Sequence, residues 1–100
     1  MLLAHALALA EARTFLAALA DLATTQEGSR AYDHALHYLD SLHAGEIPGP
    51  TIGSPVVDLD TTYGLAVSAI EDLATHGVHP LQVELVLAML EDARSLDAPA

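Results

Sequence analysis

Helical periodicity runs through almost all of this 100-residue chain and limits most strongly what it can fold into. Apolar residues recur every three to four positions in four segments, which is the pattern of amphipathic helices with one buried face. Gly, Pro and Ser residues separate the segments, and these residue types favour helix ends and turns. We therefore predict helices over about 2–26, 30–44, 59–76 and 80–96, within a single helical domain spanning residues 1–100.

The boundary between the first two helices is open to two interpretations. Gly28 is one candidate end of the first helix, with Ser29 as the next N-cap. Alternatively the second helix starts near Thr24, because the four residues 24–27 (Thr-Thr-Gln-Glu) match a capping box. The later boundary is clearer, since Gly77 suits a helix end and Pro80 suits the first position of the helix that follows.

A Pro/Gly-rich loop over 45–58 separates the two pairs of helices. It contains Pro48, Pro50 and Pro55, each of which lacks a backbone N–H, and it exceeds the roughly 2–8 residues usual between helices. It is either a long crossover or a lid or partner-binding loop. The chain is thus predicted to be all-α, a four-helix bundle of two helical hairpins joined by this loop.

Charge and cysteine content exclude several classes of function. Three basic residues stand against fourteen acidic ones, which gives a net charge of −11 with His neutral. Nucleic acids and anionic membranes are disfavoured as partners, because both are recognised largely through Lys and Arg. There is no Cys, so thiolate catalysis and disulfides are excluded. The apolar N-terminus lacks a cationic leader region, and we expect a cytoplasmic protein.

The second helix carries a candidate metal site. Asp33, His37 and Asp40 are spaced i, i+4 and i+7, which places two carboxylates and an imidazole on one helical face. Such a set is able to bind Zn²⁺, Mn²⁺ or Fe²⁺, and no other cofactor is predicted. The alternative is a solvated polar face, because these residues lie opposite the apolar stripe of the same helix.

His5 is the second candidate, since it falls on the apolar arc of the first helix. One interpretation is a small-molecule pocket between the first and fourth helices near His5. The other is a core histidine with a hydrogen-bond partner, as buried polar groups require. No nucleophile stands at a fixed spacing from it, so no catalytic residue is assigned.

Surplus apolar residues are the last feature. Several leucines lie on the polar arcs of their helices, and the apolar arc of the fourth helix is wide; the candidate interface residues are Leu3, Leu7, Leu65, Leu81, Leu85 and Met89. Clustered exposed apolar residues mark interfaces, and the commonest outcome is a two-fold homodimer. We therefore predict a small acidic, non-catalytic protein–protein interaction or regulatory module, homodimeric or docked to a protein partner. The alternatives are the divalent-metal protein and the small-molecule binder described above.

Overall fold

The computed structural model describes residues 3–43 and 58–97, and within them the predicted all-α four-helix bundle is confirmed. The helices are α1 (Leu3–Leu22), α2 (Gln26–Ser41), α3 (Leu59–Leu73) and α4 (Pro80–Asp97), and a short 3₁₀ turn, Ala74–His76, follows α3. These two stretches contain no strand. Apart from its last residue, the predicted loop lies outside the described residues, so its role stays a prediction.

Contacts at the two ends of the bundle give the direction of each helix. At one end His5 of α1 meets His43, which follows α2, and His76, which follows α3. At the other end Asp97 of α4 binds Thr24 in the turn after α1. Helices α2 and α3 therefore run antiparallel to α1, and α4 runs parallel to it. Because α1 packs on α2 and α3 while α4 packs chiefly on α2, α1 and α4 occupy opposite corners.

The core is almost entirely aliphatic, as expected for a chain with one Phe and no Trp. Tyr32 of α2 is the largest fully buried side chain, and it lies among aliphatic residues from all four helices. The other large side chains that are fully buried are Leu9, Leu16, Leu19, Leu39, Ile70, Leu73, Val86 and Leu90. This core fixes the helices against one another, and so positions the side chains at the ends of the bundle.

The first helix boundary differs from the prediction that stops α1 at Gly28. Helix α1 ends at Leu22, and α2 begins at Gln26, with Thr25 as N-cap accepting a hydrogen bond from the Gly28 N–H at 2.9 Å. Gly28 is therefore inside α2, where it is buried against Asp97. Since the carboxylate from α4 needs this space, the glycine serves a tertiary contact rather than a helix end. The capping interpretation was the closer one.

The ends of α3 and α4 are fixed by Asp58, Gly77 and Pro80, of which the sequence predicted Gly77 and Pro80. The Asp58 carboxylate caps α3 by accepting from the Thr61 N–H at 2.6 Å. Gly77 adopts a left-handed conformation with φ of 100°, which suits a residue without Cβ just after a helical turn. Pro80 is the first residue of α4, as predicted.

Candidate functional site

Three histidines from three elements meet at one end of the bundle, and we call them the histidine cluster: His5, His43 and His76. His5 lies in the first turn of α1 and is half-buried. His43 follows the end of α2 and is buried, with 8% of its surface exposed. His76 ends the 3₁₀ turn after α3. The cluster is therefore held by the ends of three different helical segments.

Hydrogen bonds fix the two closest rings of the cluster. The Nε2 atoms of His5 and His43 are 3.1 Å apart, so one ring donates and the other accepts. His43 Nδ1 lies 2.9 Å from the carbonyl oxygen of Leu39, which accepts only if Nδ1 carries the proton. His43 Nε2 is then the acceptor when the ring is neutral, and His5 Nε2–H is the donor.

His76 is the second ring that lies against His5. The two rings are nearly parallel, with an interplanar angle of 13° and centroids 6.3 Å apart. His76 Nε2 also lies 3.6 Å from a carboxylate oxygen of Asp72, one helical turn earlier. The cluster thus has a negatively charged group at its edge.

The sequence signal for this cluster is continuation of the core stripes. His5 lies four residues before buried Leu9, and His43 lies four residues after buried Leu39. His76 follows the last core residue of α3 by three positions. Each histidine therefore extends an apolar helical face beyond its last core residue. His5 was singled out on this ground, whereas His43 and His76 were missed as its neighbours.

The structure does not bring together the three predicted metal ligands on α2. His37 Nδ1 lies 3.9 Å from Asp33 Oδ2, and both side chains are largely exposed. Asp40 instead accepts from Arg13 of α1, at 2.7 Å from Nε and 3.3 Å from Nη2. Within residues 3–43 and 58–97, no three His, Asp or Glu side chains are arranged to hold a metal ion. The metal site on α2 therefore remains a prediction, and its Asp40 is paired with Arg13.

Five of the six predicted interface residues are exposed, and four of them form two groups on opposite corners of the bundle. Leu3 and Leu7 lie on α1, with 76% and 53% of their surfaces exposed. Leu81 and Leu85 lie on α4, with 68% and 49% exposed. The fifth is Leu65, which lines an open groove between α1 and α3 together with Phe15. The sixth, Met89, is half-buried and packs against the core. Leu96 of α4 is also exposed and was not among the predicted residues.

Two open grooves are present on the described surface, one between α1 and α3 and one between α3 and α4. His5 lines neither of them. Its two ring neighbours in the described part of the chain are His43, after α2, and His76, after α3, whereas α4 occupies the opposite corner from α1. The small-molecule pocket near His5 therefore remains a prediction without a cavity to support it among these grooves.

Comparison with protein-family models, with curated proteins and with solved structures finds no match for this chain.

Proposed function

We propose that this chain is a small non-catalytic interaction module that pairs with a second copy of itself through the outward face of α4. The observation that carries the proposal is the exposure of Leu81 and Leu85, two large apolar side chains one helical turn apart, on the side of α4 away from its buried face. Because each side chain is already partly covered, burying the rest of it would contribute about 1–2 kcal/mol per leucine.

Leu81, Leu85 and Met89 form a row with i, i+4, i+8 spacing, which we call the α4 ridge. Rows of this spacing interdigitate when two helices cross at about −50°, the commonest helix-packing class in globular proteins. A two-fold axis at Leu85 would bring Leu81 of one copy against Met89 of the other. The ridge is thus complementary to itself, as an isologous dimer requires.

Charge beside the ridge determines how such a dimer responds to salt. Glu84, Glu91 and Asp92 are exposed on the same helix, and each copy carries a net charge of −11. Two copies therefore repel one another, and added salt screens that repulsion. Self-association is expected to strengthen with salt, whereas docking of a basic partner would weaken. One helix crossing is also a small interface, so we expect a micromolar dissociation constant.

The experiment compares two leucine-to-lysine variants by size-exclusion chromatography with light scattering at micromolar to millimolar protein. Leu85→Lys places a charge at the centre of the ridge and is expected to give a monomer. Leu7→Lys is the matched control, because this leucine is 53% exposed on α1, at the corner opposite α4, and the charge change is identical. Equal association of both variants, or a wild type that stays monomeric throughout, would rule out the proposed dimer.

A cytoplasmic location is part of the proposal. By length and composition alone α1 would be able to cross a membrane, with a mean hydropathy of 1.4, but core helices and signal sequences pass the same test. Helix α1 contributes six buried residues to the bundle, which favours a core helix; they are Ala8, Leu9, Ala10, Ala12, Leu16 and Leu19.

A further inference from the structure

His5 and His43 present the same ring atom to each other across the end of the bundle. Their Nε2 atoms lie 3.1 Å apart. Two nitrogen ligands of a tetrahedral Zn²⁺ ion, each about 2.0–2.1 Å from the metal, are about 3.3 Å apart. The separation of the two ring atoms is therefore close to the separation of two imidazole ligands on one ion. We propose that His5 and His43 form a binding site for a divalent transition-metal ion, with water completing its coordination.

The surroundings of His43 are those of a metal-binding imidazole. Its Nδ1–H donates to the Leu39 carbonyl at 2.9 Å, which orients the ring and leaves Nε2 with its lone pair directed at His5. Metal-ligating histidines almost always donate their second ring N–H to a carbonyl, carboxylate or water in this way. The His43 backbone N–H also bonds to the Asp40 carbonyl, so both backbone and ring are held.

Metal binding replaces the hydrogen bond between the rings. His5 donates its Nε2–H to His43 in the metal-free protein, and it must carry that proton on Nδ1 to offer Nε2 to an ion. No group of three metal-binding side chains is formed by the described part of the chain, which supplies two ligands to this site, His5 and His43. Asp72, which lies 3.6 Å from His76, places a negative charge at the edge of the histidine cluster.

The ligand type determines which ions are accepted. Imidazole nitrogen suits Zn²⁺, Cu²⁺ and Ni²⁺, whereas Mg²⁺ and Ca²⁺ prefer oxygen ligands. Two protein ligands are fewer than the three or four of most zinc sites, so we expect micromolar affinity. Affinity falls as the pH is lowered, because protons compete for the ring nitrogens.

The experiment is calorimetric titration of the full chain, free of any affinity tag, with ZnCl₂ at neutral pH. One ion is expected to bind per chain at the histidine pair, and His5→Gln and His43→Gln are each expected to weaken this binding at least tenfold. The matched control is the double variant His34→Gln/His37→Gln, which removes two exposed imidazoles of α2 and should leave that binding unchanged. Wild type with Zn²⁺ at ten times the dissociation constant should melt about 5–10 °C higher.

Ring-nitrogen NMR provides a second measurement that does not depend on the variants folding. The Nε2 resonances of His5 and His43 should shift together on addition of Zn²⁺, while those of His34 and His37 should not. The proposal is overturned if binding is undetectable at about 100 μM Zn²⁺, if the α2 double variant loses it, or if the exposed imidazoles shift instead.

Discussion

Replacement of Gly28 by alanine sets helix propensity directly against a tertiary contact. Gly28 is in the first turn of α2, where alanine would ordinarily favour the helix by about 1 kcal/mol. A Cβ placed there would overlap the Cβ, Cγ and Oδ1 atoms of Asp97, which are held in place by the turn between α1 and α2. Whether Gly28→Ala is more or less stable than wild type therefore shows whether α4 docks on this turn.

The size of the opposing term follows from the bonds that Asp97 makes. Its carboxylate accepts from the Thr24 N–H at 3.0 Å, the Thr25 N–H at 2.7 Å and the Thr25 hydroxyl at 3.0 Å. Hydrogen bonds to a charged group contribute about 1.5–3 kcal/mol each, and overpacking costs about 1–3 kcal/mol. Since relaxation saves some of these bonds, we expect a net loss of about 2 kcal/mol in the free energy of unfolding.

Urea unfolding followed by circular dichroism measures this loss, which should lower the midpoint with little change in slope. Gly64→Ala is the matched control, because Gly64 lies in α3, is exposed, and has nothing within 4 Å of where its Cβ would be. That variant should be about 1 kcal/mol more stable. If Gly28→Ala is as stable as Gly64→Ala, the docking of Asp97 against Gly28 is refuted.

Three further predictions concern buried or paired polar groups. Tyr32→Phe should leave the free energy of unfolding unchanged or raise it by about 1 kcal/mol, because the buried Tyr32 hydroxyl has no hydrogen-bond partner in the described part of the chain. Burial, and then the charge of Asp97, raises the pKa of Tyr32 to about 12. In a spectrophotometric titration, the variant should therefore lack the tyrosine that ionises last in wild type. Burial opposes ionisation of Asp97, but hydrogen bonds from the α1–α2 turn outweigh it and lower its pKa. The Asp97 carboxylate therefore stabilises the fold fully at a pH above the ordinary aspartate pKa of about 3.9, and this stabilisation is lost as the pH falls through the lower pKa of the folded state. The difference in urea midpoint between wild type and Asp97→Asn should shrink between pH 6 and 3. A constant difference would contradict this. Arg13→Met and Asp40→Asn should show a coupling of about 1 kcal/mol in a double-mutant cycle, because this α1–α2 ion pair is mostly shielded from solvent; additive effects would mean that the pair contributes nothing.

Local sequence signals were enough for the fold class and for several helix ends. Periodicity predicts four helices, Gly77 and Pro80 mark the turn before α4, and the capping box predicts an early start for α2. Gly28 misleads because its local preference for helix ends is overridden by Asp97, which is 69 residues away in sequence. No local pattern contains that contact.

The histidine cluster also depends on contacts between residues that are distant in sequence. The apolar arc of α1 singles out His5, but the identity of its partner depends on which helix ends meet, and that is a property of the assembled bundle. His43 is 38 residues away in sequence, so no local pattern links it to His5. The pairing of Asp40 is hidden from the sequence for a similar reason, since the Arg13 side chain that engages Asp40 comes from another helix.

Sedimentation equilibrium of the wild-type chain at several protein and salt concentrations tests the proposed self-association most directly. The average mass should rise from the protomer's 10.5 kDa toward twice that value as protein concentration increases, and the dimer should tighten between about 50 and 500 mM salt as repulsion is screened. A mass of 10.5 kDa throughout the concentration series, or a dimer that salt weakens, would contradict the account.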